Sequence, residues 1–149
     1  MKEIKGDLLK EDFDVIVHGC NCFNIMGAGI AKTIKTIYPL VYSADCETIK
    51  GDQSKLGTIL PIKVKHCITG KELIVVNGYT QYRYNGNTLM VNYEAVREVF
   101  KNVKKNFSGK KIGYPMIGAG LAGGDWDVIS KIIDEELVGE DHAVVVYKG

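Results

Sequence analysis

The chain has 149 residues, 46% hydrophobic and 25% charged, with a formal net charge of +1. That is chain enough for one domain with an ordinary buried core. It lacks the basic excess of a nucleic-acid clamp and the ~20-residue apolar run of a membrane span. Four cysteines are too few for a secreted disulfide scaffold. The opening Met1-Lys2-Glu3-Ile4 has no charged-then-apolar leader, so a cytoplasmic location with reduced thiols is expected.

Residues 2–5 read as a short strand. Residues 14–18, with the β-branched run Val15-Ile16-Val17, read as a buried strand ending at His18. His18, Cys20 and Cys22 alternate and share a face of an extended segment. No second ligand cluster follows at zinc-site spacing, so buried, satisfied side chains are expected there and no metal. Residues 26–38 read as a helix with Ile30, Ile34 and Ile37 at helical spacing. Pro39 breaks it, and residues 40–50 continue as a second helical piece.

Residues 57–64 and 72–77 read as two strands joined across residues 65–71. Residues 79–88, with Tyr79, Tyr82 and Tyr84, read as a surface loop in a position to cover a site. Residues 89–106 form an amphipathic helix pattern through Val96, Val99, Phe100 and Val103. A strand over 111–117, a helix over 126–137 facing inward through Val128, Ile132 and Ile133, and a closing strand over 143–147 complete the chain. His66 and His142 fall in turn-like segments and receive no role. Strands separated by helices imply a largely parallel sheet covered on both faces, with ligands beyond the carboxyl ends of its strands.

Two strands run into glycine-rich turns ahead of helices. The first turn holds Asn21, Met26, Gly27, Ala28, Gly29 and Ile30; the second holds Ile117, Gly118, Ala119, Gly120, Leu121, Gly123 and Gly124. Glycine admits close approach of a ligand to the backbone, and a helix N-terminus offers unpaired N–H groups. Neither turn contains Lys or Arg, so the backbone itself must hold an anion. Gly118-x-Gly120-x-x-Gly123 matches a dinucleotide fingerprint. The acidic residue expected about 20 positions later is missing, because the next strand ends in Val146-Tyr147-Lys148. No G-K-[ST] is present, which excludes a P-loop.

The order Gly6-Asp7-Leu8, Cys20-Asn21-Cys22, Met26-Gly27-x-Gly29-Ile30-Ala31, then Tyr114-Pro115-x-Ile117-Gly118-x-Gly120-Leu121 and Trp126, resembles the macro domain. The resemblance runs through nearly the whole chain. It is nearest to the branch of ADP-ribose-1″-phosphate phosphatases and ADP-ribosyl-glutamate hydrolases. It implies one three-layer α/β/α domain over residues 1–149 with a mixed, largely parallel sheet that binds ADP-ribose; a monomer and no cofactor are expected. It further implies that Asp7, with Leu8 beside it, accepts from the adenine amine, Tyr147 packs on adenine, and Asn21 bonds the distal ribose. The backbones of Met26 to Ile30 and Ile117 to Leu121 then hold the diphosphate and that ribose.

The lysine and aspartate of the glutamate-deacylating members have no counterpart, since Asn77-Gly78-Tyr79 and Ala122 stand at those places. Asp125 is displaced by three residues. His18 resembles a histidine of the phosphatase branch. The expected activity is therefore hydrolysis of ADP-ribose 1″-phosphate, with His18 transferring the proton and Asp125 orienting water. A non-catalytic reader of ADP-ribose, a hydrolase of ADP-ribosylated macromolecules and a general nucleotide binder stay open beside it. Nucleic acid enters only as a modified substrate.

Overall fold

The computed structural model describes residues 1–84, 89–120 and 122–147. Leu121 and the end of the tyrosine-rich segment, residues 85–88, therefore lie outside the described residues. Strands β1 (Lys2–Gly6), β2 (Val15–Cys20), β3 (Ile59–Lys65), β4 (Glu72–Tyr79), β5 (Lys111–Tyr114) and β6 (Asp141–Tyr147) form one sheet in the order β1-β6-β5-β2-β4-β3. Every neighbouring pair is parallel except β3 with β4. Pro61 sits in β3, an edge strand, where a missing N–H is tolerated.

Period-two alternation sorts the strand side chains between two cores. Val15, Val17, Ile112 and Val144 face α3 (Tyr93–Phe107) and α4 (Trp126–Glu136). Ile16, Leu73, Val75 and Val145 face α1 (Gly29–Ile37) and α2 (Pro39–Cys46). The result is the expected three-layer α/β/α arrangement with a mixed sheet.

Several boundaries differ from expectation. Helix α1 begins at Gly29 and not at Met26, because Met26 is buried as part of the preceding loop. The third helical pattern begins later than position 89, where the Asn92 side chain caps α3 by accepting from the Ala95 N–H. In α4 it is Ile129, with Ile132 and Ile133, that faces the core, whereas Val128 is exposed. Tyr79 is not a loop residue; it ends β4 fully buried, its hydroxyl donating to Asp45 Oδ1 at 2.6 Å. His142 lies in β6, and its Nδ1 is 2.6 Å from the Tyr114 hydroxyl. All four cysteines are free, with Cys46 and Cys67 exposed. No cluster among the described residues has the makings of a metal site, and no helix among them is long and apolar enough to cross a membrane.

Candidate functional site

At the carboxyl ends of β2, β5 and β6 the chain opens into two cavities of about 540 and 530 Å³ that share Gly29 and Ile30. The larger one lies between the first loop, residues 21–28, and the second, residues 115–125. Asn21, Met26, Gly27, Ala28, Gly118 and Gly120 line it. The smaller is lined by Asp7, Leu8, Thr33, Met116, Val145 and Tyr147. The fold thus gathers residues from both ends of the chain onto one cleft.

The backbone of this cleft is rich in unused donors. Helix α1 has Ala28 at its N-cap, with no capping side chain and no acidic residue in its first turn. Among the described residues, the N–H groups of Gly27, Gly29 and Ile30 find no acceptor. At the starts of α3 and α4, by contrast, the Asn92 and Asp125 side chains accept from the Ala95 and Asp127 N–H groups. In the second loop the Ile117 and Ala119 N–H groups bond back to Pro115 and Met116, and Gly124 N–H to the Gly118 carbonyl. Those bonds leave the Gly118 and Gly120 N–H groups without an acceptor among the described residues. Unpaired N–H groups and a helix dipole meeting at one cleft favour an anion.

The glycines divide into two kinds. A Cβ on Gly118 or Gly124 would strike Val91 at 2.6 Å, so packing explains both. Among the described residues, a Cβ on Gly120 would meet nothing within 4 Å, and one on Gly27 only Ile25 at 3.8 Å. Neither has a positive φ. Nothing among the described residues therefore demands glycine at these two positions, and both line the larger cavity. Both leave the backbone open on the cavity side.

Asn21 spends its side chain on its own loop: Oδ1 accepts from Phe23 N–H at 2.9 Å and Nδ2 donates to the Ile25 carbonyl at 2.8 Å. One amide proton of Nδ2 remains for a ligand. Asp7 Oδ1 accepts from Leu9 N–H, which leaves its second oxygen open to the smaller cavity. Tyr147 is 75% exposed, an aromatic face with no core role.

Other expected residues are placed elsewhere. His18 is fully buried on the α1/α2 side of β2, with Nε2 2.6 Å from Asn77 Oδ1, and it does not line either cavity. Burial lowers its pKa to about 4 against a partial lift from Asn77, so the ring is neutral at neutral pH. Asp125 is exposed and caps α4 by accepting from Asp127 N–H. Ile117 points into the core, and Ala119 lines neither cavity. Gln81, Tyr84 and Met90 add to the wall of the larger cavity. The polar stretch following β4 was the sequence signal for the first two, while Met90 gave none.

The macro domain family model matches residues 17–133. An uncharacterized 17.5 kDa protein of Enterobacteria phage T4 is 35% identical over 90% of this chain and 88% of its own length. A DNA ADP-ribosyl glycohydrolase of Mycobacterium tuberculosis is 25% identical over 95% of this chain, which spans 40% of that protein. An ADP-ribose 1″-phosphate phosphatase of Aspergillus oryzae is 38% identical over 41% of this chain and 32% of its own length. Among solved structures, the macrodomain of Thermus aquaticus DarG superposes with a TM-score of 0.74 at 23% identity, covering 99% of this chain and 97% of that one. Thermosipho africanus DarTG in complex with ADP-ribose superposes with a TM-score of 0.77 at 16% identity, covering 95% of this chain and 40% of that one. At these identities the two structures speak for the fold.

Proposed function

The chain belongs to the macro domain family, and from that premise we propose that its cleft binds ADP-ribose. Adenine occupies the smaller cavity against Tyr147, with Asp7 accepting from its amine. The diphosphate lies where the cavities join, on the free N–H groups of Gly27, Gly29, Ile30, Gly118 and Gly120. The distal ribose enters the larger cavity beside Asn21 and Gln81. The observation that carries this reading is the pair Gly27 and Gly120, two glycines beside the larger cavity that neither a clash among the described residues nor a positive φ requires.

Hydrolysis of ADP-ribose 1″-phosphate is the second reading. It draws on the name of the Aspergillus relative and on N–H donors able to stabilise charge on a phosphoryl group. The position of His18 changes its mechanism. An imidazole behind the cavity wall does not reach a phosphate ester, so water attack would depend on positioning by the loops. The polar side chains lining the larger cavity among the described residues are Cys20, Asn21, Gln81 and Tyr84. Burial pushes the Cys20 thiol well above its ordinary range, so it stays protonated. Such a site supports slow turnover.

The test is calorimetric titration with ADP-ribose, ADP and AMP, followed by phosphate release from ADP-ribose 1″-phosphate and ADP-ribose release from a modified oligonucleotide. Preference for ADP-ribose over ADP supports the binding reading, and release in one assay names the chemistry. Equal affinity for ADP and ADP-ribose would reduce the site to a general nucleotide pocket.

A further inference from the structure

Beneath the first loop lies a buried polar network that the ligand contacts do not use. Lys55, only 8% exposed, donates from Nζ to Asn24 Oδ1 at 2.9 Å and to Thr48 Oγ1 at 3.0 Å. The Thr48 hydroxyl donates in turn to the Asp45 carbonyl at 2.6 Å. The Asn24 amide Nδ2 donates to the Thr48 carbonyl at 3.2 Å. Lys55 Nζ also stands 5.4 Å from the centre of the Tyr79 ring, whose hydroxyl bonds Asp45. An ammonium taken out of water this way adds little net stability, because desolvation offsets its contacts. What it does supply is a fixed position for its partners.

The partner it fixes is unusual. Asn24 has φ +59°, the one non-glycine residue in the left-handed region among the described residues. That conformation is held from two sides. Asn21 bonds residues 23 and 25 through its side chain, and Lys55 bonds the Asn24 side chain from below. Three residues further on, the free N–H groups of the first loop begin. A costly conformation kept by a buried charge at the root of a binding loop is how strain is placed at a site.

We propose that Lys55 and Asn24 form a clamp that presets the first loop for the diphosphate, with Lys55 as a positioning residue that never touches the ligand. This rests on the ADP-ribose reading of the cleft. In the clamp, the Lys55–Asn24 bond selects the left-handed turn, and the turn aims the Gly27 to Ile30 backbone into the cavity. The adenine end, formed by Asp7 and Tyr147, lies outside its reach.

Two variants test the clamp: Lys55→Met, which keeps the aliphatic stem, and Asn24→Gly, which accepts φ +59° but has no side-chain acceptor. Affinity is measured for ADP-ribose and for adenosine, together with amide hydrogen exchange across residues 23–28 of the ligand-free protein. Losing one charge-assisted bond predicts about a tenfold drop in ADP-ribose affinity for Lys55→Met and Asn24→Gly. Adenosine affinity stays unchanged, and faster exchange is confined to residues 23–28. Unchanged ADP-ribose affinity overturns the clamp. So does an equal loss for adenosine, or exchange that accelerates throughout α2 and β4, since each marks general destabilisation. If the wild-type protein binds no ADP-ribose, the proposed function falls and the exchange measurement alone decides the clamp.

Discussion

Replacing Gly120 with valine separates a binding glycine from a folding one. Among the described residues a Cβ at this position meets no heavy atom within 4 Å, and φ does not lie in the left-handed region. Stability should change by no more than about 0.5 kcal/mol, as for surface substitutions away from special features. The isopropyl group stands beside the Gly120 N–H, in the space the proposed diphosphate would need. Pushing the diphosphate off the Gly118 and Gly120 donors removes two charge-assisted hydrogen bonds of about 1.5–3 kcal/mol each. Affinity for ADP-ribose then falls at least about a hundredfold. Gly124→Ala is the counterpart, because its Cβ would sit 2.5 Å from the Gly118 carbonyl oxygen and 2.6 Å from Val91 Cγ1. That crowding costs about 1–3 kcal/mol and lowers the melting temperature by several degrees. Calorimetric titration and thermal melts on both variants provide the assay. A Gly120→Val protein that binds ADP-ribose as wild type does, or one that melts like Gly124→Ala, would rule out a binding role for Gly120.

Three further outcomes are expected. Tyr147→Ala should leave the melting temperature unchanged, since the ring is 75% exposed. It should weaken ADP-ribose binding by the stacking contribution of about 1–3 kcal/mol, whereas Tyr147→Phe retains it; titration of both decides this. Asp125→Ala removes the α4 cap, so it should cost about 1 kcal/mol in denaturant unfolding while ADP-ribose affinity holds. His18 has its pKa lowered from 6.5 to about 4 in the folded protein, so the unfolded chain binds the proton more readily between those values. Its contribution is complete above pH 6.5 and is lost as pH falls toward 4, on the order of 3 kcal/mol in all. Asp45, whose carboxyl is raised mainly by burial, acts in the opposite sense. The prediction is therefore a difference: urea midpoints of wild type fall more steeply with acidification than those of His18→Gln. Parallel curves would show that His18 does not titrate as its burial requires.

The layers of the fold were legible because buried strands and amphipathic helices carry their own periodicity. Val15-Ile16-Val17 feeds both cores by alternation, and Val96, Val99, Phe100 and Val103 mark one face of α3. The inward face of α4 was read one residue early, at Val128 in place of Ile129, because a helix's phase is set by tertiary contact with the sheet. The glycine loops were visible as composition. Which glycines serve packing and which leave room was not, since Val91 reaches Gly118 and Gly124 from 27 and 33 positions away in sequence. His18 shows the same limit. A histidine near a strand end looks available for chemistry, yet its strand parity turns it beneath the sheet toward Asn77, 59 residues distant. Lys55 and Asn24 gave no signal, because a lysine and an asparagine 31 residues apart are by default surface residues.

The most direct test of the central claim is to titrate ADP-ribose into isotope-labelled protein and follow the backbone amides by NMR. The largest shifts are expected at Gly27, Gly29, Ile30, Gly118 and Gly120, with a second set at Asp7 and Tyr147 and little change at His18. Shifts confined to other faces of the sheet, or an absence of shifts at saturating ADP-ribose, would contradict that claim.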